Sequence, residues 1–206
     1  MHISDGVVPT SVALGGFAVS LAITAWSARK TNPDDLPKIA VVTSAFFVAS
    51  LIHVPIGPTS VHLLIPGLVG ILLGNSAFLS IALGIALQSL LFQFGGITAI
   101  GVNAFMMGIP ALIAGWIFRM LRGATLARHV FAAAVAGAMG VVLAVLILAS
   151  LLLTGGEDFL GVAKIAMYAH LPVIVIESAV SAFAVSFLYK VKPDLLNAPF
   201  SLPPPG

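Results

Sequence analysis

Residues 127–153 read ARHVFAAAVAGAMGVVLAVLILASLLL. From Val130 to Leu153 the one polar side chain is Ser150, and no proline interrupts the run. A membrane-spanning helix takes about 20 predominantly apolar residues, so this stretch reads as a transmembrane helix. The same character recurs along the chain. Of 206 residues, 60% are hydrophobic and 8% are charged, and the mean hydropathy is +1.15. A soluble domain carries about 25% charged residues, so composition excludes a water-soluble enzyme. The apolar runs are continuous and lack the in-out alternation of a membrane β-barrel. The chain therefore reads as an all-α integral membrane protein, residues 1–206 forming one helical bundle.

Seven spans are predicted, at 9–28, 37–54, 62–74, 77–93, 103–121, 127–153 and 164–190. The third is short and carries Pro66, Gly67 and Gly70, a pattern tolerated where a segment packs inside protein. It meets the fourth at Gly74-Asn75-Ser76, which predicts a tight helical hairpin. Eight of the nine basic residues fall on one side: Arg29, Lys30 and Lys38; Arg119, Arg122 and Arg128; Lys190 and Lys192. The opposite connections carry Lys164 alone. Lys and Arg mark cytoplasmic loops, so an odd number of spans places the N-terminus outside and the C-terminus in the cytoplasm. The expected location is the cell (inner or plasma) membrane, in a lipid bilayer. Topology accounts for the basic residues, and no nucleic-acid partner is expected.

The first span lacks a basic region before it; Arg29 and Lys30 follow it. It reads as an N-out anchor and not as a cleavable signal peptide. The bulky His2 is expected to protect Met1 from aminopeptidase trimming. The tail 198–206, APFSLPPPG, reads as a flexible, polyproline-like end. There is no cysteine, so disulfides and thiolate metal sites do not arise.

Polar groups at membrane depth are expensive and often functional, which directs attention to the histidines. With histidine at position two, the Met1 α-amine, the His2 backbone nitrogen and His2 Nδ1 can close fused five- and six-membered rings on one cation. Three nitrogens in a plane favour Ni(II) or Cu(II) over tetrahedral zinc. On the same side lies His53-Val54-Pro55-Ile56-Gly57-Pro58-Thr59-Ser60-Val61-His62, a stiff non-helical connection. His62 at its end can supply a fourth nitrogen. A metal site built on residues 1–8 and His62 outweighs two unrelated structural histidines.

Three blocks carry a specific resemblance. Met1-His2-Ile3-Ser4-Asp5-Gly6, Pro55-Ile56-Gly57-Pro58-Thr59-Ser60-Val61-His62-Leu63, and Gln88-x-x-Leu91-Phe92-x-x-Gly95-Gly96 with Gly101-x-Asn103 resemble the CbiM/NikM family. Its members are the substrate-binding membrane components of energy-coupling-factor (ECF-type) nickel and cobalt transporters. The match covers residues 1–121. The resemblance implies seven helices with the N-terminal segment tucked into the bundle. It also implies an ion held by the Met1 amine, the His2 amide and imidazole, and His62. The implied partners are a transmembrane coupling subunit, two ATPase subunits and a small accessory membrane protein. His53 stands where many cobalt-type relatives carry Asn, and is expected to support the site or be structural.

Gln88, Gln93 and Asn103 can orient the ligand histidines or bond between helices. Thr59 and Ser60 are candidate caps of the third helix and candidate supports of the metal site. Glu177, midway along the last span, can pair with a neighbouring polar group or be protonated. His170 and His129 are expected at the interfaces. Ala18, Ala22 and Ala25 form a small-residue face, a docking surface for the coupling subunit or a packing seam. No phosphate-binding Gly-x-x-x-x-Gly-Lys-Ser/Thr or His-Glu-x-x-His motif occurs, so neither ATP hydrolysis nor a zinc hydrolase is expected. The cargo is Ni(II) or Co(II), and no cofactor is implied. The alternatives are an autonomous metal carrier or channel, for which only Glu177 offers an acidic path, and a binding component for another small substrate.

Overall fold

The computed structural model describes residues 2–51, 53–56 and 59–197. Met1, expected as a metal ligand, and the tail 198–206 lie outside the described residues. Eight α-helices occur among those described: α1 Thr10–Arg29, α2 Leu36–Ala49, α3 Pro66–Leu73, α4 Ala77–Phe92, α5 Ile100–Leu121, α6 Leu126–Thr154, α7 Leu160–Ala169 and α8 Leu171–Val191. Among the described residues, five helical stretches are long and apolar enough to cross a membrane: Thr10–Arg29, Pro66–Phe92, Ile100–Leu121, Leu126–Thr154 and Glu157–Val191.

The structure departs from the expected elements where proline intervenes. The second span was expected to run to residue 54, but α2 stops at Ala49, where the Ser50 hydroxyl bonds the Phe46 carbonyl. Pro55 cannot donate to a helix and steers Val54 to extended backbone. The architecture is thus not purely helical. β1 (His53–Ile56) and β2 (Thr59–His62) form an antiparallel hairpin pairing His53 with His62 and Ile56 with Thr59. The expected caps Thr59 and Ser60 lie in β2, so they do not cap α3. The last span is divided at His170, because Pro172 leaves the Tyr168 carbonyl without its helical donor.

His62 and Gln88 both reach His2, so the chain between them goes down through α3 and returns through α4. The reversal falls at Gly74–Ser76, and α3 sits at the centre, wedged between α5 and α6. A Cβ on Gly70 would lie 1.9 Å from the Ala111 carbonyl oxygen, so only glycine permits this approach. The buried core runs through Ile3, Phe46, Leu64, Ile81, Met106 and Leu148.

The two ends of the bundle differ in chemistry. At one end Lys38 Nζ donates to the Leu195 carbonyl at 2.9 Å, and Arg122 donates to the Leu196 carbonyl at 2.7 Å. The α1–α2 connection, the α5–α6 connection and the C-terminal segment therefore share one end, and with them eight of the nine basic residues. The N-terminal segment, the hairpin and the α4–α5 loop gather at the other.

Candidate metal centre

The N-terminal segment enters the bundle as extended chain, with His2 and Ile3 both buried. Asn103, near the start of α5, grips Ile3 from both sides. Its Oδ1 accepts the Ile3 N–H at 2.8 Å, and its Nδ2 donates to the Ile3 carbonyl at 3.0 Å. Asn103, a candidate either to orient a histidine or to bond between helices, holds the backbone beside His2. Further out, Asp5 accepts from the Thr98 N–H at 2.9 Å and the Thr98 hydroxyl. The α4–α5 loop crosses over this segment through Gly95 and Gly96, both at φ +78. A Cβ on Gly96 would meet the Asp5 carboxylate at 2.1 Å.

His2 lies between α4 and the hairpin. Its Nε2 sits 2.9 Å from Gln88 Oε1. Gln88 is itself fully buried, and its Nε2 donates to Ser50 Oγ and the Phe47 carbonyl. A carbonyl only accepts, so the amide orientation is set, Gln88 Oε1 accepts, and His2 Nε2 carries the proton. His62 is constrained in the same way, because its Nδ1 lies 2.9 Å from the Leu63 carbonyl and must donate. His2 Nδ1 and His62 Nε2 therefore both carry lone pairs. They face each other at 3.2 Å.

Burial lowers both imidazole pKa values to about 4, so both rings are neutral near pH 7. Two imidazole nitrogens bound about 2 Å from one ion, at right angles, lie about 2.8 Å apart. The observed separation differs from that by a few tenths of an ångström. Among the described residues no three His, Cys, Asp or Glu side chains converge.

The other expected residues fall into place around this pair. His53 lies across the hairpin from His62, its Nδ1 3.0 Å from the Leu51 carbonyl and its ring edge-on to Phe94 at 4.4 Å. Gln93 ends α4 in the left-handed conformation, φ 56. With His2, His53, Thr59, Ser60 and Phe94 it lines a cavity of about 170 Å³. Thr59 and Ser60 are buried, and Thr59 Oγ1 has no partner among the described residues. Phe94, 6.1 Å from His2 between ring centres, carries no sequence signal beyond its neighbouring glycines.

His170, expected at the interface, is fully buried and bonds the Ala166 carbonyl at 2.7 Å. Glu177 is also fully buried. Its Oε1 accepts the Leu64 and Ile65 N–H groups at 2.5 and 2.6 Å, at the foot of α3. These amides precede α3, whose N-terminus has no side-chain cap bond. Ala18, Ala22 and Ala25 are exposed on α1, not packed inside. The inner face of α1 uses Ser20, whose hydroxyl donates to the Gly101 carbonyl at 2.7 Å.

Comparison with known proteins bears on this geometry. Residues 2–195 match the family model CbiM, described as the cobalt uptake substrate-specific transmembrane region, so the likeness extends well beyond residue 121. A Haemophilus influenzae metal transport protein is 35% identical over 96% of this chain and 97% of its own. An Archaeoglobus fulgidus fused nickel transport protein, NikMN, is 30% identical over 96% of this chain and 68% of its own. A crystal structure of a transition metal transporter superposes with a TM-score of 0.81 at 28% identity, covering 93% of each chain.

Proposed function

The chain belongs to the CbiM family of substrate-specific transmembrane components of cobalt uptake, and on that premise we propose that it captures Ni(II) or Co(II) at the His2–His62 centre for import. The cargo ion is held in a nitrogen plane formed by the Met1 amine, the His2 amide, His2 Nδ1 and His62 Nε2. His62 then lies next to His2 Nδ1 and opposite the amide. The observation that carries this reading is the 3.2 Å approach of the two nitrogens, each with its other ring nitrogen engaged outside the pair. Capture releases the His2 amide proton, so affinity rises with pH.

In this reading the chain crosses the membrane seven times, with the metal end outside and the basic end in the cytoplasm. The α2 helix, 14 residues long, reaches only about 21 Å, and the hairpin completes its crossing. Energy comes from two ATPase subunits joined to a transmembrane coupling protein, assisted by a small membrane subunit. The exposed Ala18, Ala22 and Ala25 of α1 form the face for the coupling protein, since small residues allow close helix approach.

The test is a calorimetric titration of Ni(II) and Co(II) into purified protein with an authentic amino terminus, alongside His62→Ala and a variant with one alanine inserted between Met1 and His2. One-to-one binding with a square-planar Ni(II) absorption band is expected for the parent, weaker binding with a shifted band for His62→Ala, which keeps three of the four nitrogens, and no such binding for the insertion variant. Equal binding by all three would discard the site.

A further inference from the structure

Glu177 lies on α8, far from His2 and His62 in sequence, yet its carboxylate holds the segment that carries His62. Oε1 takes both the Leu64 and Ile65 N–H groups, at 2.5 and 2.6 Å. One residue earlier, the Leu63 carbonyl accepts the His62 Nδ1–H at 2.9 Å. Leu63–Ile65 is thus bonded to Glu177 on one side and sets the His62 tautomer on the other.

The segment would not hold this shape unaided. Ile65 has φ 45 and ψ 27, a left-handed conformation that is costly for a β-branched residue. It is followed by Pro66 at the first position of α3, whose ring offers no N–H of its own. The Leu64 and Ile65 amides are buried, and without Glu177 they would pay a desolvation cost. The other carboxylate oxygen, Oε2, has no hydrogen-bond partner among the described residues. The group is therefore spent on these two amides.

We propose that Glu177 is a positioning residue for metal capture, setting the Leu63–Ile65 turn so that the Leu63 carbonyl aims His62 Nε2 at the ion. This rests on the reading of His62 as a ligand. It also makes α8 the element whose movement would displace His62 from the site.

The experiment is a double-mutant cycle in Ni(II) affinity and visible absorption, using the full chain, Glu177→Gln, His62→Ala and the double variant. Metal-free melting of each is recorded alongside. Glu177→Gln is expected to weaken Ni(II) binding about 10- to 100-fold, as loss of a ligand's support does. Its absorption band is expected to shift towards that of His62→Ala. In the His62→Ala background the same substitution is expected to leave Ni(II) affinity unchanged, because its route to the ion is gone. Glu177→Asp, which keeps the charge and draws it back by one methylene, carries the same cycle if the glutamine variant is not recovered folded. Wild-type affinity and spectrum in Glu177→Gln, or an equal loss with and without His62, would overturn the positioning role while leaving the metal site standing. Wild-type binding by His62→Ala would remove the metal-site reading itself.

Discussion

His62 Nε2 lies 3.2 Å from His2 Nδ1, with the Leu63 carbonyl and the Gln88 amide oxygen accepting a hydrogen bond from the N–H on the far side of each ring. Each outer bond selects a tautomer, and together they turn two lone pairs towards one point. In the proposed site these two nitrogens are the donors offered to the ion. Ser50, Phe47 and Gln88 extend this order into the bundle.

Gln88→Ala removes the acceptor for His2 Nε2–H. The ring is then no longer restricted to the tautomer that exposes Nδ1. Nickel affinity is expected to fall about 10- to 100-fold, with the one-to-one stoichiometry retained because Gln88 is not itself a ligand. Titration calorimetry measures both quantities in one experiment, and an unchanged affinity would show that Gln88 serves packing alone.

Asn103→Ala strips the Ile3 N–H and carbonyl of their partners. Each buried backbone group left unbonded costs about 1–3 kcal/mol, so the N-terminal segment is expected to leave its groove before the bundle melts. Amide exchange at residues 3–5 should accelerate at least tenfold, while exchange in α5 and α6 stays as in the parent. Metal affinity falls with it, because the chelating residues are no longer held beside His62.

Stability of the metal-free chain is expected to decline as pH drops. The folded-state pKa of His2 and His62 is about 4, against about 6.5 in the unfolded chain. The unfolded state therefore binds more protons between these values. The contribution of each neutral imidazole is complete above pH 6.5 and is lost towards pH 4, at up to about 1.4 kcal/mol per pH unit. Melting in detergent from pH 7 to pH 5 should show the fall, and His62→Gln should show a shallower one. Between pH 5 and 8 the bound rings add no proton competition, so any rise of nickel affinity with pH reports on the His2 amide and the Met1 amine.

The hydropathy of the chain settled its solvent, because sixteen charged residues cannot keep an apolar chain of this length in water. Positions of α1, α4, α5 and α6 were legible for the same reason: long apolar runs in lipid have helix as their available backbone solution. The His2 and His62 pair was legible too, from a histidine at position two and a second in a proline-stiffened connection.

The roles of the supporting polar residues were decided in three dimensions. Nothing in the local pattern around Glu177 shows that its carboxylate meets the amides of Leu64 and Ile65, more than a hundred residues earlier. Asn103 holding the Ile3 backbone, and His170 being buried instead of interfacial, have the same origin. Side-chain chemistry and hydropathy are local and can be read along the chain. Which buried donor meets which acceptor depends on how α3 threads between α5 and α6, and that is a property of packing.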